Sequence, residues 1–86
     1  MLELFYANLL HAKLMISIEH KDYERFSSTE EEIKRSRVGI KRELFKLVRT
    51  HYYYDLNRFD PESRVLLLDF MKKHNIINDD KKEISL

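Results

Sequence analysis

The chain has 86 residues, of which 36% are charged and 43% are hydrophobic, and its formal net charge is +1. This length predicts one small domain, and this composition argues against both an intrinsically disordered protein and a membrane-spanning one. The absence of cysteine excludes disulfides and thiolate zinc sites and fits a reducing compartment, so we expect a cytoplasmic protein. A single glycine and a single proline favour helices over turn-rich β structure and predict an all-α fold.

The first predicted helix runs from about residue 2 to residue 21. Its apolar residues recur at steps of three and four, the spacing of one helical face. They are Leu2, Phe5, Leu9, Ala12 and Ile16, and the stripe is widened by Leu4, Tyr6, Leu10, Leu14, Met15 and Ile18. A helix that is apolar on much of its circumference is expected to be central in a bundle or covered by a partner.

The second predicted helix covers residues 29–54. Ser28 with Glu31, or Thr29 with Glu32, matches a capping box at its start. The acidic residues there also oppose the positive end of the helix dipole.

Most of the positive charge lies in residues 34–58, which hold eight basic and two acidic residues. Residues 1–33 are net negative by four charges and residues 59–86 by one. A cationic segment between acidic flanks suits a polyanionic partner. Acid at the start of a helix and base toward its end also match the helix dipole, and this is the structural alternative for the same pattern.

Helical geometry sorts the second predicted helix into two sides, because successive residues turn by about 100°. One side is apolar and predicts the core face, with Ile33, Ile40, Leu44, Leu47, Val48 and His51. The other side carries a basic band that ends in tyrosines, and its candidate nucleic-acid contacts are Arg35, Lys41, Arg42, Lys46, Arg49, Tyr52 and Tyr53. The basic side chains would contact phosphates and the tyrosines would stack on bases or sugars. The alternative is a solvated helix face with local ion pairs.

Two residues of this helix do not fit the pattern. Arg37 falls on the core-facing side, and a buried pair with an acidic residue such as Glu19 or Asp22 is its first expected explanation. The alternatives are that its side chain reaches outward to solvent or that it marks a place where a partner docks. Gly39 costs about 1 kcal/mol in a helix relative to alanine. Close approach of a neighbouring helix is its first expected explanation, and a kink is the second.

The third predicted helix covers residues 61–75. Asp60 is a suitable N-cap, Pro61 suits the first helical position, and Asn75 is the expected stop. Its buried side is expected to comprise Val65, Leu66, Leu68 and either Phe70 or Met71. Together the helices predict a compact three-helix bundle over residues 1–77 with a frayed polar tail at 78–86.

The residues required by several kinds of chemistry are missing. The four histidines (His11, His20, His51 and His74) are not spaced three or four apart, so each is expected on the surface or at a helix cap. One glycine is too few for a phosphate-binding loop, and there is no thiol nucleophile. We therefore expect no enzyme, no cofactor, no metal site and no small-molecule substrate. The first residues also lack the pattern of a secretory signal.

Two functions remain. The first is a non-enzymatic subunit that binds a DNA or RNA backbone without sequence specificity, together with other protein subunits of a larger nucleoprotein assembly. The second is a protein–protein adaptor or small regulator that uses the apolar first helix, with Leu4, Phe5, Leu10, Leu14 and Ile18 as its contact residues. A membrane-surface role is less favoured, because the bulky apolar residues opposite the basic band are needed for the core.

Residues 4–13 resemble the start of LYR-motif proteins, which are small basic three-helix adaptors of mitochondrial complexes, and residues 40–46 resemble their second helix. The leucine-tyrosine-arginine tripeptide that gives these proteins their name is not matched, since Phe5 stands at its tyrosine position and Tyr6 at its arginine position. The resemblance is kept only as a variant of the adaptor hypothesis. By analogy of layout alone, the chain is also similar to small helical subunits that line nucleic acid in CRISPR effector complexes.

Overall fold

A computed structural model describes residues 2–76, and within that range the chain forms four α-helices. They are α1 (Leu2–Glu19), α2 (Tyr23–Lys34), α3 (Val38–Asp55) and α4 (Pro61–Lys73), and a 3-10 turn at Leu56–Arg58 joins α3 to α4. The predicted all-α architecture is confirmed, and α1 contacts each of the other three helices. The predicted tail at 78–86 lies outside the described residues.

The core is built on one face of α1. Ala7, Leu10, Leu14 and Ile18 are buried there at steps of three and four residues. Against them pack Phe26 and Ile33 of α2, Leu44 and Val48 of α3, and Leu67, Phe70 and Met71 of α4. The core therefore takes side chains from all four helices and uses only one side of α1.

The predicted helix at 29–54 is wrong as a single element, because the chain turns at residues 35–37 and forms α2 and α3. The predicted count of three helices is corrected accordingly to four within residues 2–76. One straight helix over 29–54 would be about 39 Å long, whereas the longest dimension of the molecule is 34 Å. Ile33 and Val48 both reach the core because the chain turns between them.

Ser36 forms the turn between α2 and α3. Its hydroxyl donates to the Glu32 carbonyl at 3.0 Å, and its backbone N–H donates to the Ile33 carbonyl at 3.0 Å. Arg37 is then extended, with φ −68° and ψ 155°, and precedes the first residue of α3. Since Arg37 is exposed in this connection, the predicted buried pair is wrong.

The start of α2 is six residues earlier than predicted, at Tyr23 rather than at residue 29. Asp22 is its N-cap and accepts a hydrogen bond from the backbone N–H of Arg25 at 3.1 Å. The predicted cap Thr29 is instead buried inside the helix, where its hydroxyl donates to the Arg25 carbonyl at 2.8 Å. The proposed capping box therefore predicted a helix in the right region with the wrong first residue.

Two helices end on a residue with left-handed backbone: Lys21 with φ 53° after α1, and Asn75 with φ 59° after α4. After α1, the Asp22 N–H reaches back to the Ser17 carbonyl at 2.9 Å, which is the long bond of a Schellman motif. The same pattern follows α4, so the predicted stop at Asn75 is confirmed.

The start of α4 is tied to the end of α1. Asp60 caps α4 by accepting from the Ser63 N–H at 2.8 Å, and Pro61 occupies the first turn, both as predicted. The Lys21 ammonium lies 2.6 Å from the Asp60 carboxylate, and it lowers the pKa of Asp60 to about 2 together with the Ser63 N–H. The buried Ser63 hydroxyl donates to the Ile18 carbonyl at 3.1 Å. One ion pair and one buried hydrogen bond therefore join these two helices.

The buried side of α4 differs in part from the prediction. Phe70 and Met71 are both buried, and Leu67, which was not predicted, is fully buried. Val65 is 58% exposed, so its predicted place in the core is wrong. The capped start sets the phase of the helix, and Ser63, Leu67 and Phe70 then follow the face that meets α1.

Gly39 leaves room for a side chain from α1. A Cβ at this position would lie 2.6 Å from a carboxylate oxygen of Glu3. The neighbour is the flexible end of a side chain rather than backbone, so the predicted close approach of a neighbouring helix stays a prediction. The N-cap of α3, Arg37, makes no side-chain capping hydrogen bond. The Glu3 carboxylate instead brings negative charge to the first turn of α3, where the helix dipole favours it.

Replacing Ser63 with alanine tests the link between α4 and α1. The Ile18 carbonyl would lose a buried hydrogen bond, so we expect the free energy of unfolding to fall by about 1 to 2 kcal/mol. Urea denaturation should show a lower midpoint at an unchanged slope. Ser17→Ala is the matched control, because Ser17 is equally buried but bonds only to the Leu14 carbonyl of its own helix. Equal losses in the two variants would contradict the interhelical role of Ser63.

Candidate nucleic-acid interface

The outer side of α3 carries the clearest charged surface of the described chain. Leu44 and Val48 are buried on its inner side. Positions 42, 46, 49 and 53 follow steps of four, three and four residues, which places them within a band of about 60° on the opposite side. Arg42, Lys46, Arg49 and Tyr53 are all exposed, and we call these four residues the basic face.

The charges of the basic face are only weakly neutralised. Lys46 lies 3.6 Å from Glu43, and its side chain is still 58% exposed. An exposed pair of this kind contributes less than about 1 kcal/mol and is screened by salt. The other acidic residue of α3, Asp55, pairs instead with His51 and Arg58. Within residues 2–76, Arg42 and Arg49 form no ion pair, so both guanidinium groups are available to an anion.

Three of the predicted nucleic-acid contacts lie elsewhere. Arg35 is the C-cap of α2 and lies 4.0 Å from Glu31, since the turn at 35–37 breaks the helical phase that placed it on the same band. Lys41 is half-buried at the side of α3. Tyr52 is half-buried and packs against the core, so its ring is not free to stack on a base.

Two exposed tyrosines lie at the end of the basic face. Tyr53 and Tyr54 are 76% and 75% exposed, and their ring centroids are 5.1 Å apart in an edge-to-face arrangement. Tyr54 was not among the predicted contacts, because helical angles place it beside the band rather than on it. The run of three tyrosines was the only signal for it. Exposed aromatic rings next to cations can stack on nucleobases of any sequence.

The predicted protein-binding surface on α1 needs correction. Leu10, Leu14 and Ile18 are buried in the core and are not accessible to a partner, whereas Leu4 and Phe5 are exposed. Five of the exposed apolar residues lie on the opposite side of the helix. They are Leu2, Phe5, Leu9, Ala12 and Ile16, and we call them the apolar stripe.

His11 of α1 and His51 of α3 meet across the helix interface. His51 Nδ1 lies 3.2 Å from His11 Nε2, and His51 Nε2 lies 3.7 Å from the Asp55 carboxylate. Partial burial, with a smaller effect of His51, lowers the pKa of His11 from 6.5 to about 4. The expectation that both histidines are surface or capping residues is therefore wrong. The side chains are far apart in sequence, so spacing alone carries no signal for this contact.

His74 and His20 lie where a capping and a surface residue were expected. His74 is the C-cap of α4, and its Nε2 lies 3.2 Å from the carboxylate of Glu30 in α2. The ring also packs against Phe70, with centroids 4.4 Å apart. His20 is exposed.

No three histidine, aspartate or glutamate side chains of residues 2–76 come together as a metal site would require. No helix in the same range has the length and apolar content needed to cross a membrane. Comparison of the chain with protein-family models, with curated proteins and with solved structures gave no match. A functional proposal therefore rests on the basic face and the apolar stripe.

The pKa of His11 predicts how stability depends on pH. Because the folded pKa of about 4 lies below the unfolded value of 6.5, the unfolded chain binds a proton first as the pH falls. The stabilising contribution is complete above about pH 6.5 and is lost as the pH falls from 6.5 to 4. We expect His11→Gln to flatten the dependence of the unfolding free energy on pH in this window.

The control for this measurement is His20→Gln, which removes an exposed histidine and should leave the wild-type dependence unchanged. Asp60 affects stability in a separate pH range. Because its pKa is lowered to about 2 in the folded protein, its contribution to the free energy of unfolding is lost only as the pH falls from about 3.8 to 2. A His11→Gln variant with the wild-type dependence between pH 6.5 and 4 would contradict the role of His11.

Proposed function

We propose that the protein is a small non-enzymatic helical subunit that binds the backbone of a nucleic acid without sequence specificity, inside a larger nucleoprotein assembly. The observation that carries this proposal is the basic face of α3, which has three exposed cations aligned on one side of one helix. A cytoplasmic location stays a prediction based on the absence of cysteine.

The spacing of the three cations suits a row of phosphates. Arg42 and Arg49 are seven residues apart, or about 10 Å along the helix axis, with Lys46 between them. Phosphates lie close enough along a nucleic-acid strand for each cation to meet one, and each contact releases a counterion. Tyr53 adds an aromatic surface about 6 Å beyond Arg49.

The chemistry of the basic face favours backbone contacts over base reading. Phosphate contacts position a protein and carry no sequence information by themselves. Stacking on tyrosine is tolerant of sequence, because every base has a π face. Three phosphate contacts alone support only weak binding, and this is the reason to propose a subunit rather than a protein that acts alone.

A protein–protein adaptor is the second candidate function. The exposed apolar stripe of α1 favours it, since Leu2 and Phe5 are 70% and 63% exposed at a helical spacing. The two functions use different helices and are compatible with each other.

Removing the three cations together tests the proposal. We expect R42Q/K46Q/R49Q to weaken binding to a single-stranded oligonucleotide. The plot of log affinity against log salt should flatten by about 2 units, since each lost phosphate contact removes somewhat less than one unit. Fluorescence anisotropy over a series of salt concentrations measures both quantities.

The matched control removes the same charge from α2. R25Q/K34Q/R35Q replaces three cations that are paired with Asp22 or Glu31. We expect it to keep most of the wild-type salt dependence. If both triple variants bind equally, or if wild-type binding is insensitive to salt, the proposal fails.

The two exposed tyrosines allow stacking to be measured apart from charge. We expect Y53A/Y54A to lose affinity by about 1 to 3 kcal/mol for each base that is stacked, at an unchanged salt slope. Tyr6→Ala is the control, because Tyr6 is an exposed tyrosine that belongs to α1 and not to α3. A change in the salt slope without loss of affinity at low salt would show that the tyrosines do not stack.

A further inference from the structure

The apolar stripe of α1 is a surface that the described fold leaves uncovered. We propose that it is the contact surface of a symmetric dimer, in which α1 of a second copy of this chain lies antiparallel on it. The inference does not depend on nucleic-acid binding, because the basic face belongs to α3.

The spacing of the apolar stripe is that of a seam between two helices. Its residues follow steps of three, four, three and four, which is the repeat that keeps apolar side chains at the contact of a two-stranded helical pair. The stripe extends about 21 Å along α1 and contains no charged residue. The core face of α1, with Leu10 and Leu14, lies on the opposite side of the helix and is already filled.

The sizes of the side chains fit an antiparallel second copy. With a two-fold axis between residues 10 and 11, Phe5 of each copy lies against Ile16 of the other, and Leu9 lies against Ala12. The two-fold axis repeats each of these pairs on the other side of the contact, and the small Ala12 leaves space for Leu9. A parallel pair would instead place two Phe5 rings together and leave a gap between two alanines, which packs poorly.

The charges at the ends of α1 favour the same orientation. Glu19 is exposed and continues the apolar stripe by one further step of three residues. In the antiparallel pair it lies beside Leu2 of the second copy, at the first turn of a helix, where free backbone N–H groups attract a carboxylate. In a parallel pair, two Glu19 carboxylates would face each other and repel.

The available area predicts a weak dimer. The apolar stripe and the adjacent Tyr6 expose between 43% and 70% of Leu2, Phe5, Tyr6, Leu9 and Ile16. With about 150 Å² for a fully exposed side chain, this amounts to on the order of 400 Å² per copy and 800 Å² per pair. That total is below the roughly 1,000 Å² of a stable specific interface, so the dimer should be weak and should dissociate on dilution below about millimolar concentration.

Sedimentation equilibrium of the full chain over micromolar to millimolar concentrations tests the proposal. The average mass should rise from the monomer value of 10.5 kDa toward twice that value. Leu9→Lys puts two like charges into the contact and should weaken association at least about tenfold. Ala12→Lys is a second variant at an exposed position and should have the same effect. Val65→Lys on α4 is the matched control, since Val65 is an exposed apolar residue outside the stripe.

The relative orientation of the two α1 helices can be determined from disulfide formation between introduced cysteines, because the chain has no cysteine of its own. A mixture of Phe5→Cys with Ile16→Cys should cross-link faster than either variant alone. A mass of 10.5 kDa at every concentration, or association unchanged by Leu9→Lys and Ala12→Lys, would overturn the dimer. Faster cross-linking of Phe5→Cys with itself would overturn the antiparallel arrangement.

Discussion

Packing of α2 and α3 against the same central helix requires the chain to turn at residues 35–37, and the rest of the structure depends on that turn. Without it, Ile33 and Val48 could not both be buried against α1. The turn is held by two hydrogen bonds of Ser36 to the last turn of α2. The turn also separates the charges of α2, which are paired with neighbouring acids, from those of α3, which are mostly unpaired within residues 2–76.

Features with a local cause were predictable from the sequence. Asp60 and Pro61 start α4 as expected, because an N-cap and a first-turn proline act on their own backbone. Asn75 ends α4 for a similar reason, since its short polar side chain tolerates the left-handed conformation. The all-α class follows from composition, because one glycine and one proline leave few places for tight turns.

Features set by packing could not be predicted in the same way. Ser28 and Glu31 match a capping box, but burial of Phe26 on the core extends α2 back to Asp22. Apolar residues surround α1, and periodicity alone does not say which side the neighbouring helices cover. Among the residues that the structure describes, neighbouring helices cover the side with Leu10 and Leu14 and leave the side with Phe5 and Leu9 exposed. Leu10, Leu14 and Ile18 were therefore wrongly predicted to be accessible to a protein partner.

The basic face shows the same division between local and long-range causes. Arg42, Lys46 and Arg49 lie within one unbroken helix, so angles taken from the sequence remain valid for them. Arg35 lies before the turn, where the helical phase restarts, and it falls outside the face. Two surfaces therefore remain for interaction with other molecules: the basic face of α3 and the apolar stripe of α1. Each lies on the side of its helix that faces away from the core.

The measurement that most directly tests the account is a titration of the isotopically labelled protein with a single-stranded oligonucleotide, followed by NMR chemical shifts of the backbone amides. The largest changes are expected along α3 around Arg42, Lys46, Arg49 and Tyr53, and they should disappear as salt is raised. The amides of Lys34 and Arg35, whose charges are paired with Glu31, should change little. Changes centred on α2 or on the apolar stripe, or no changes at low salt, would contradict binding through the basic face.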